Sequence, residues 1–319
     1  MNEHFIREIE IKNFKCFKDF KADGFGRVNL IGGKNNVGKT AFMEAICIDV
    51  SSKNISNMLF ALLMIERSRN LLNLFNKEID IIAILEKYKS FDIIGNNNIK
   101  YKFNYQSINK TLIITLNEIE EQINFNSKIN FINNKNIIFI DNYGFNNERL
   151  KDVYEAIQLK NKEYELNQYI KNFDKNIINF KIIGGDKPKC QLLNNEYRDI
   201  IEFGDGLKHY ISIICSLYAC ENGYLFIDEI DNGIHYTQLD KLWEIILTLS
   251  SKQQNVQIFA TTHSKECIES YARVAKKLKD KEITFIELGK NKKDEIKALV
   301  MDSERFQREV KMDNEVRGW

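Results

Sequence analysis

The chain has 319 residues and a mass of 37.5 kDa, too long for one small domain and suited to one large α/β domain with an insertion, or to two domains. Hydrophobic residues make up 44% and charged residues 29%, enough for a real core, and Lys+Arg 46 against Asp+Glu 45 leaves a net charge of +1, so a nucleic-acid role would need a local basic face. Apolar runs such as Phe60–Ile65 are far shorter than the ~20 residues that cross a bilayer, and the opening MNEHFIREIE is charged where a leader is apolar. No membrane partner and a cytoplasmic location are therefore expected. Cys16, Cys47, Cys190, Cys215, Cys220 and Cys267 are scattered with no CxxC pair, which argues for buried free thiols over a zinc site or disulfide framework.

In chain order, residues 5–12 alternate apolar and polar as a strand does. Val28–Ile31 is a short buried strand entering Gly32-Gly33, and Lys39–Val50 has helical spacing. Asn57–Tyr88 reads as helical, 99–141 as several short strands, and Asn147–Asn172 as a polar helix. Ile178–Ile183 and Lys189–Leu193 form a hairpin across Gly184-Gly185-Asp186. Then come a helix at Leu207–Cys220, a core strand at Tyr224–Ile227 and a helix at Tyr236–Leu249. A third core strand at Val256–Ala260, a helix at Ser264–Leu278 and a closing hairpin of Ile283–Leu288 with Ile296–Val300 complete the pattern. Strands alternating with helices at both ends predict a mainly parallel sheet. Of 37 Asn residues, 27 fall between 51 and 200, so the middle differs from the flanks. Residues 1–50 and 176–319 are expected to form the core and 51–175 an insertion of helical and β segments, a natural partner-binding surface.

Gly33-Lys-Asn-Asn-Val-Gly38-Lys39-Thr40 matches G-x-x-x-x-G-K-[ST] between a strand and a helix. Glycines let the backbone wrap phosphates, and the amides of a helix start attract them. Lys39 is expected to reach the β- and γ-phosphates of a nucleotide and Thr40 to ligate Mg²⁺. Asn35, Asn36 and Ala41 fall in the same nucleotide-binding set. Tyr224–Ile227 runs into Asp228 and Glu229. Asp228 suits Mg²⁺, and Glu229 suits a base for attacking water. Gln257–Ala260 leads into Thr-Thr-His263, a third functional strand end. A neutral His263 there can donate to a γ-phosphate. Gly204-Asp205-Gly206 opens a helix and offers a further anion site.

Together these residues resemble the ABC-class ATPases of the SMC and DNA-repair type, and more closely the overcoming-lysogenization-defect (OLD)-like ATPases often described simply as AAA ATPases. Phe5–Phe20 resembles that family's opening strand pair, Gly33–Thr40 its Walker A motif and Leu225–Glu229 its Walker B motif. Asp231–His235 sits where the D-loop belongs, His263 at the switch histidine, and Gly204–Leu207 at the signature. The resemblance covers 1–50 and about 176–319. It implies an α/β P-loop fold of ABC type, with a mainly parallel core sheet and an N-terminal antiparallel portion. It also implies ATP and Mg²⁺ as cofactors, a homodimer with ATP at the interface, and a separately encoded effector such as a nuclease or toxin in defence or DNA metabolism. The signature serine is replaced by Gly204 and a glycine by Asp205, while His235 stands where the D-loop aspartate is usual. Lys208 can supply charge in the serine's place; no glutamine is evident at the Q-loop position, for which Asp141 or Asn142 is the candidate.

Long heptad arms are missing. Only 56 residues follow His263, so the C-terminal TOPRIM nuclease domain of full-length OLD nucleases is expected to be absent. Four functions compete: an ATPase engine, a nucleotide-dependent sensor with little hydrolysis, the nucleotide-binding subunit of a transporter, and a nuclease acting alone. The first fits the motif set best. DNA stays possible through Lys276-Lys277-Leu-Lys279 and Lys290-Asn-Lys292-Lys293.

Overall fold

A computed structural model describes residues 4–69, 87–88, 90–106, 111–124, 136–142 and 144–312. The centre is a six-stranded sheet in the order β15-β14-β3-β13-β12-β8. Its members are β3 (Val28–Gly33), β8 (Ile137–Ile140), β12 (Tyr224–Ile227), β13 (Gln257–Thr261), β14 (Ile283–Lys290) and β15 (Ile296–Asp302). All neighbours in it are parallel except β14 and β15, which form the closing hairpin.

The continuous apolar runs of β12, β13 and β8 follow from burial on both faces, the condition of central parallel strands. Leu225, Ile227, Ile258 and Ala260 turn to one side. They meet α3 (Asn147–Leu159), α4 (Glu163–Phe173), α5 (Asp205–Ala219), α6 (Leu239–Thr248), α7 (Lys265–Leu278) and α8 (Ser303–Lys311). Phe226, Phe259 and Phe139 turn to the other side. There they pack with α1 (Lys39–Ser51), α2 (Ile55–Arg69) and a second sheet. The lone polar residue inside β3, Asn29, is fully buried and satisfied by the Gly26 amide and the Gly26 and Ile258 carbonyls.

The second sheet is antiparallel, ordered β2-β1-β4-β5-β6-β7. It joins β1 (Glu8–Phe14) and β2 (Phe17–Asp23) to β4 (Ser90–Ile94), β5 (Ile99–Gln106), β6 (Thr111–Leu116) and β7 (Ile119–Asn124). Asn117 and Glu118, both at positive φ, make the tight turn between β6 and β7. The carboxylate of Asp49, near the end of α1, accepts the amides of Asn96 and Asn97 in the β4–β5 turn. A third, three-stranded sheet holds β9 (Ile177–Ile183), β10 (Lys187–Leu192) and β11 (Tyr197–Asp199). The segment 51–175 thus supplies four strands of the second sheet, edge strand β8 of the central one, and the α3–α4 pair that packs on α5.

The expected helix at Asn57–Tyr88 is observed as α2 through Arg69, and residues 70–86 lie outside the described residues. The polar helix expected over Asn147–Asn172 is two helices. Asn161 at φ 53 breaks it, a conformation Asn tolerates better than most residues. The helix expected at Tyr236–Leu249 opens with one 3₁₀ turn at Tyr236–Gln238.

Candidate functional site

The phosphate loop leaves β3 at Gly33 (φ 140) and enters α1 after Gly38 (φ 91). A Cβ on Gly33 would stand 2.4 Å from the Leu288 carbonyl of β14, and one on Gly38 would stand 2.7 Å from Cys16 Sγ. Both positions therefore require glycine by conformation and by space. Asn36 is left-handed too, at φ 63. No side chain caps the α1 N-terminus and no acidic residue occupies its first turn, the electrostatic condition for an anion.

Lys39 Nζ donates to the carbonyls of Gly33 (2.9 Å) and Lys34 (3.0 Å). Partial burial pulls its ammonium below the usual value, against the opposing charges of Asp228 and Glu229. Thr40 Oγ1 donates to Asp228, 3.0 Å from Oδ1. Thr261 Oγ1 donates to the same oxygen at 2.6 Å and accepts the Glu229 amide at 2.8 Å. His263 Nδ1 lies 3.7 Å from Glu229 Oε1, and both side chains reach solvent. Adjacent parallel strands β3, β13 and β12 bring these ends together, because their register aligns the carboxyl ends.

A cleft of about 660 Å³ results, lined by Asn35, Asn36, Gly38, Lys39, Thr40, Ala41, Asp228, Glu229 and His263, with Lys15, Cys16 and Thr261. That volume suits a nucleotide-sized ligand. Gly33 lies behind it, supporting Lys39 through its carbonyl. The Thr40 hydroxyl and the Asp228 carboxylate are hard oxygen donors of the kind Mg²⁺ takes. Among the described residues no cluster of three His, Cys, Asp or Glu residues could hold a metal by itself. Two such donors suit Mg²⁺, which is commonly bound through one or two protein carboxylates or hydroxyls.

Gly204, Asp205 and Gly206 do not line this cleft. They open α5, where Gly204 (φ 81) has open space around it and Gly206 packs against Gly233 of the 231–235 turn. Lys208 is half-buried there, and burial pulls its ammonium below the ordinary value. Asp231 accepts from Thr262 Oγ1 at 2.6 Å, and Asn232 Nδ2 donates to the Asn142 carbonyl at 2.5 Å.

Lys15, Cys16 and Thr261 escaped the sequence reading. Thr261 carried a signal, a hydroxyl closing an apolar strand one residue before Thr262 and His263. Lys15 and Cys16 carried none, since only the β1–β2 turn brings them to the phosphate loop. Lys15 is tied by Glu44 at 2.7 Å. The six basic residues at 276–279 and 290–293 are on the surface, with Lys277 paired to Glu244 and Lys290 to Asp294.

The strand, glycine loop and helix of residues 28–51, set in this sheet, define a P-loop nucleotide-binding fold. A family model described as "AAA ATPase domain" matches residues 146–268, the segment that holds Gly204–Gly206, Asp228, Glu229 and His263. An "ATP/GTP phosphatase" of Helicobacter pylori is 28% identical over 321 residues, covering 83% of this chain and 86% of that protein. The structure is similar to an SMC head bound to the C-winged helix domain of ScpA, with a TM-score of 0.53 at 12% identity, covering 93% of this chain and 98% of that one. It is also similar to an Smc head domain with an extended coiled coil bound to the C-terminal domain of ScpA derived from Pyrococcus furiosus, with a TM-score of 0.51 at 11% identity, covering 97% and 99%. The chain thus has the P-loop ATPase fold of an SMC head. No helix among the described residues is long and apolar enough to cross a membrane.

Proposed function

We propose that the chain hydrolyses ATP to ADP and phosphate as the ATPase subunit of an OLD-like system in prokaryotic defence or DNA metabolism. The observation that carries the hydrolytic reading is the convergence on one cleft of Lys39, Thr40, Asp228, Glu229 and His263. Lys39 neutralises the β- and γ-phosphates, and the amides of residues 35–40 cradle them. Thr40 and Asp228 would hold Mg²⁺, which supplies charge neutralisation on the phosphates when bound. Glu229 accepts a proton from the attacking water, and His263 donates to the γ-phosphate.

Among the described residues no Phe, Tyr or Trp lines the cleft, so no such ring there selects one purine base. GTP is therefore a second substrate in this reading, in keeping with the Helicobacter pylori relative's name. Gly204–Gly206 lie outside their own subunit's cleft and face solvent at Gly204. That placement supports a homodimer in which they close over the partner's nucleotide, with Lys208 supplying charge where the serine hydroxyl is missing. Opening and closing would then govern a separately encoded effector, a nuclease or toxin.

A second reading, a nucleotide sensor with little hydrolysis, is favoured by the absence of any side chain at Gly204. ATP turnover by wild type beside Glu229→Gln, with mass measured with and without Mg-ATP, separates the two. Turnover lost in Glu229→Gln together with an ATP-held dimer supports the engine. Binding without turnover in wild type supports the sensor.

A further inference from the structure

Glu229 adopts φ 50, in the left-handed region where an ordinary side chain is strained. Such a conformation persists only where its surroundings over-determine it. Backbone restraints meet on Glu229 itself. Its amide donates to Thr261 Oγ1 at 2.8 Å, its carbonyl accepts from the Asn232 amide at 2.8 Å, and the Ile230 amide donates to the Thr261 carbonyl at 3.0 Å.

Two side-chain bonds then hold the turn that follows. Thr262 Oγ1 donates to Asp231 Oδ1 at 2.6 Å, and Asn232 Nδ2 donates to the Asn142 carbonyl at 2.5 Å. Thr262 is fully buried and lines no part of the cleft. Beyond it, the turn presses on α5. A Cβ on Gly206 would fall 1.9 Å from the Gly233 carbonyl oxygen, and a Cβ on Gly233 would fall 2.9 Å from the Gly206 amide nitrogen.

We infer that Thr262 and Asp231 are positioning residues for hydrolysis, holding Glu229 in its left-handed backbone, and that the Gly206–Gly233 contact makes this geometry answer to whatever binds the start of α5. The inference rests on the hydrolytic role proposed for Glu229. Without the Thr262–Asp231 bond, the turn loses one of its two side-chain ties, residues 230–232 shift, and Glu229 follows toward the right-handed region. Its carboxylate then leaves the attacking water while Lys39 and the phosphate loop stay in place. The loss falls on kcat and spares nucleotide affinity.

The test measures ATP turnover and equilibrium binding of a fluorescent ATP analogue for wild type, Thr262→Val, Thr262→Ser, Asp231→Ala, Gly206→Ala and Glu229→Gln. Thr262→Val and Asp231→Ala are expected to lower kcat about tenfold or more, with Kd within about twofold, the scale of a small misplacement of a reacting group. Thr262→Ser keeps the hydroxyl and restores kcat to within about twofold of wild type. Gly206→Ala displaces the turn and lowers kcat likewise. Wild-type kcat in Thr262→Val, or a parallel loss of binding and turnover in both Thr262→Val and Asp231→Ala, overturns the inference. If Glu229→Gln itself turns over at the wild-type rate, the hydrolytic reading fails instead.

Discussion

Thr261 Oγ1 donates to Asp228 Oδ1 at 2.6 Å and in the same position accepts the amide of Glu229 at 2.8 Å. One hydroxyl on the neighbouring strand therefore holds the Asp228 carboxylate and the Glu229 backbone at the end of β12. Thr261 is almost fully buried, so its loss strands the Glu229 amide without a partner. Thr261→Val is expected to cost about 1–3 kcal/mol of stability, the penalty for an unsatisfied buried donor. ATP turnover should fall at least about tenfold, since a misplaced base loses its reach. Thr261→Ser should keep most of both. Urea unfolding and steady-state turnover check this, and a fully active valine variant would show that the hydroxyl orients nothing of consequence.

Lys39 bonds the loop's own carbonyls at Gly33 and Lys34, and burial already disfavours its charge. A bound triphosphate replaces those neutral acceptors with charged ones, about twice as strong per bond. Lys39→Ala is expected to weaken nucleotide binding at least about tenfold, the value of one lost charged hydrogen bond. Calorimetric titration with a nonhydrolysable ATP analogue reads it directly.

Burial pushes the His209 imidazole down to about 4. The Ile230 backbone lies beside it, yet neither ring nitrogen has a partner in hydrogen-bond geometry among the described residues. The folded chain thus holds this histidine neutral, while the unfolded chain protonates it near the ordinary 6.5. A depressed folded value gives stability that is present above pH 6.5 and lost as pH falls toward 4, roughly 3 kcal/mol in all. His209→Leu removes that slope. Urea midpoints from pH 7.5 to 4.5 should fall less steeply for His209→Leu than for wild type, and parallel curves would refute the assignment.

Cys16 is the one exposed cysteine, the other five being buried, and it lines the cleft beside Gly38. N-ethylmaleimide is therefore expected to label Cys16 first and to block nucleotide binding by filling space. Saturating ATP should slow the labelling, and Cys16→Ser should bind nucleotide and resist the reagent. Mass spectrometry of intact protein counts the adducts, and labelling indifferent to ATP would place Cys16 outside the occupied volume.

The central strands were legible because burial on both faces demands unbroken apolar runs, and Tyr224–Ile227 and Gln257–Ala260 are such runs. The phosphate loop and both acidic residues were legible because their chemistry fixes residue type at fixed spacing. Other features left less trace. Asn161 breaks a helix in a segment where Asn is too common to stand out as punctuation. The four residues of β8 look like any other short strand between 99 and 141, and only pairing with β12 places them in the central sheet. Lys15 and Cys16 reach the cleft through a hairpin, a relation between distant stretches that no local spacing encodes. The Gly206–Gly233 contact is made by backbone alone, so no side chain announces it.

The floor under the phosphate loop comes from the far end of the chain. Gly33 lies against the Leu288 carbonyl, and β14 pairs in register with β3 from Val28 to Gly33. Every recognisable motif precedes residue 264, yet the loop that grips phosphate is finished only when β14 has docked beside it. A nascent chain that has released all the motifs is therefore expected to lack the support of its phosphate loop. A chain cut short before Ile283 is expected to carry every motif and yet to hold phosphate poorly, for want of the strand beneath its loop.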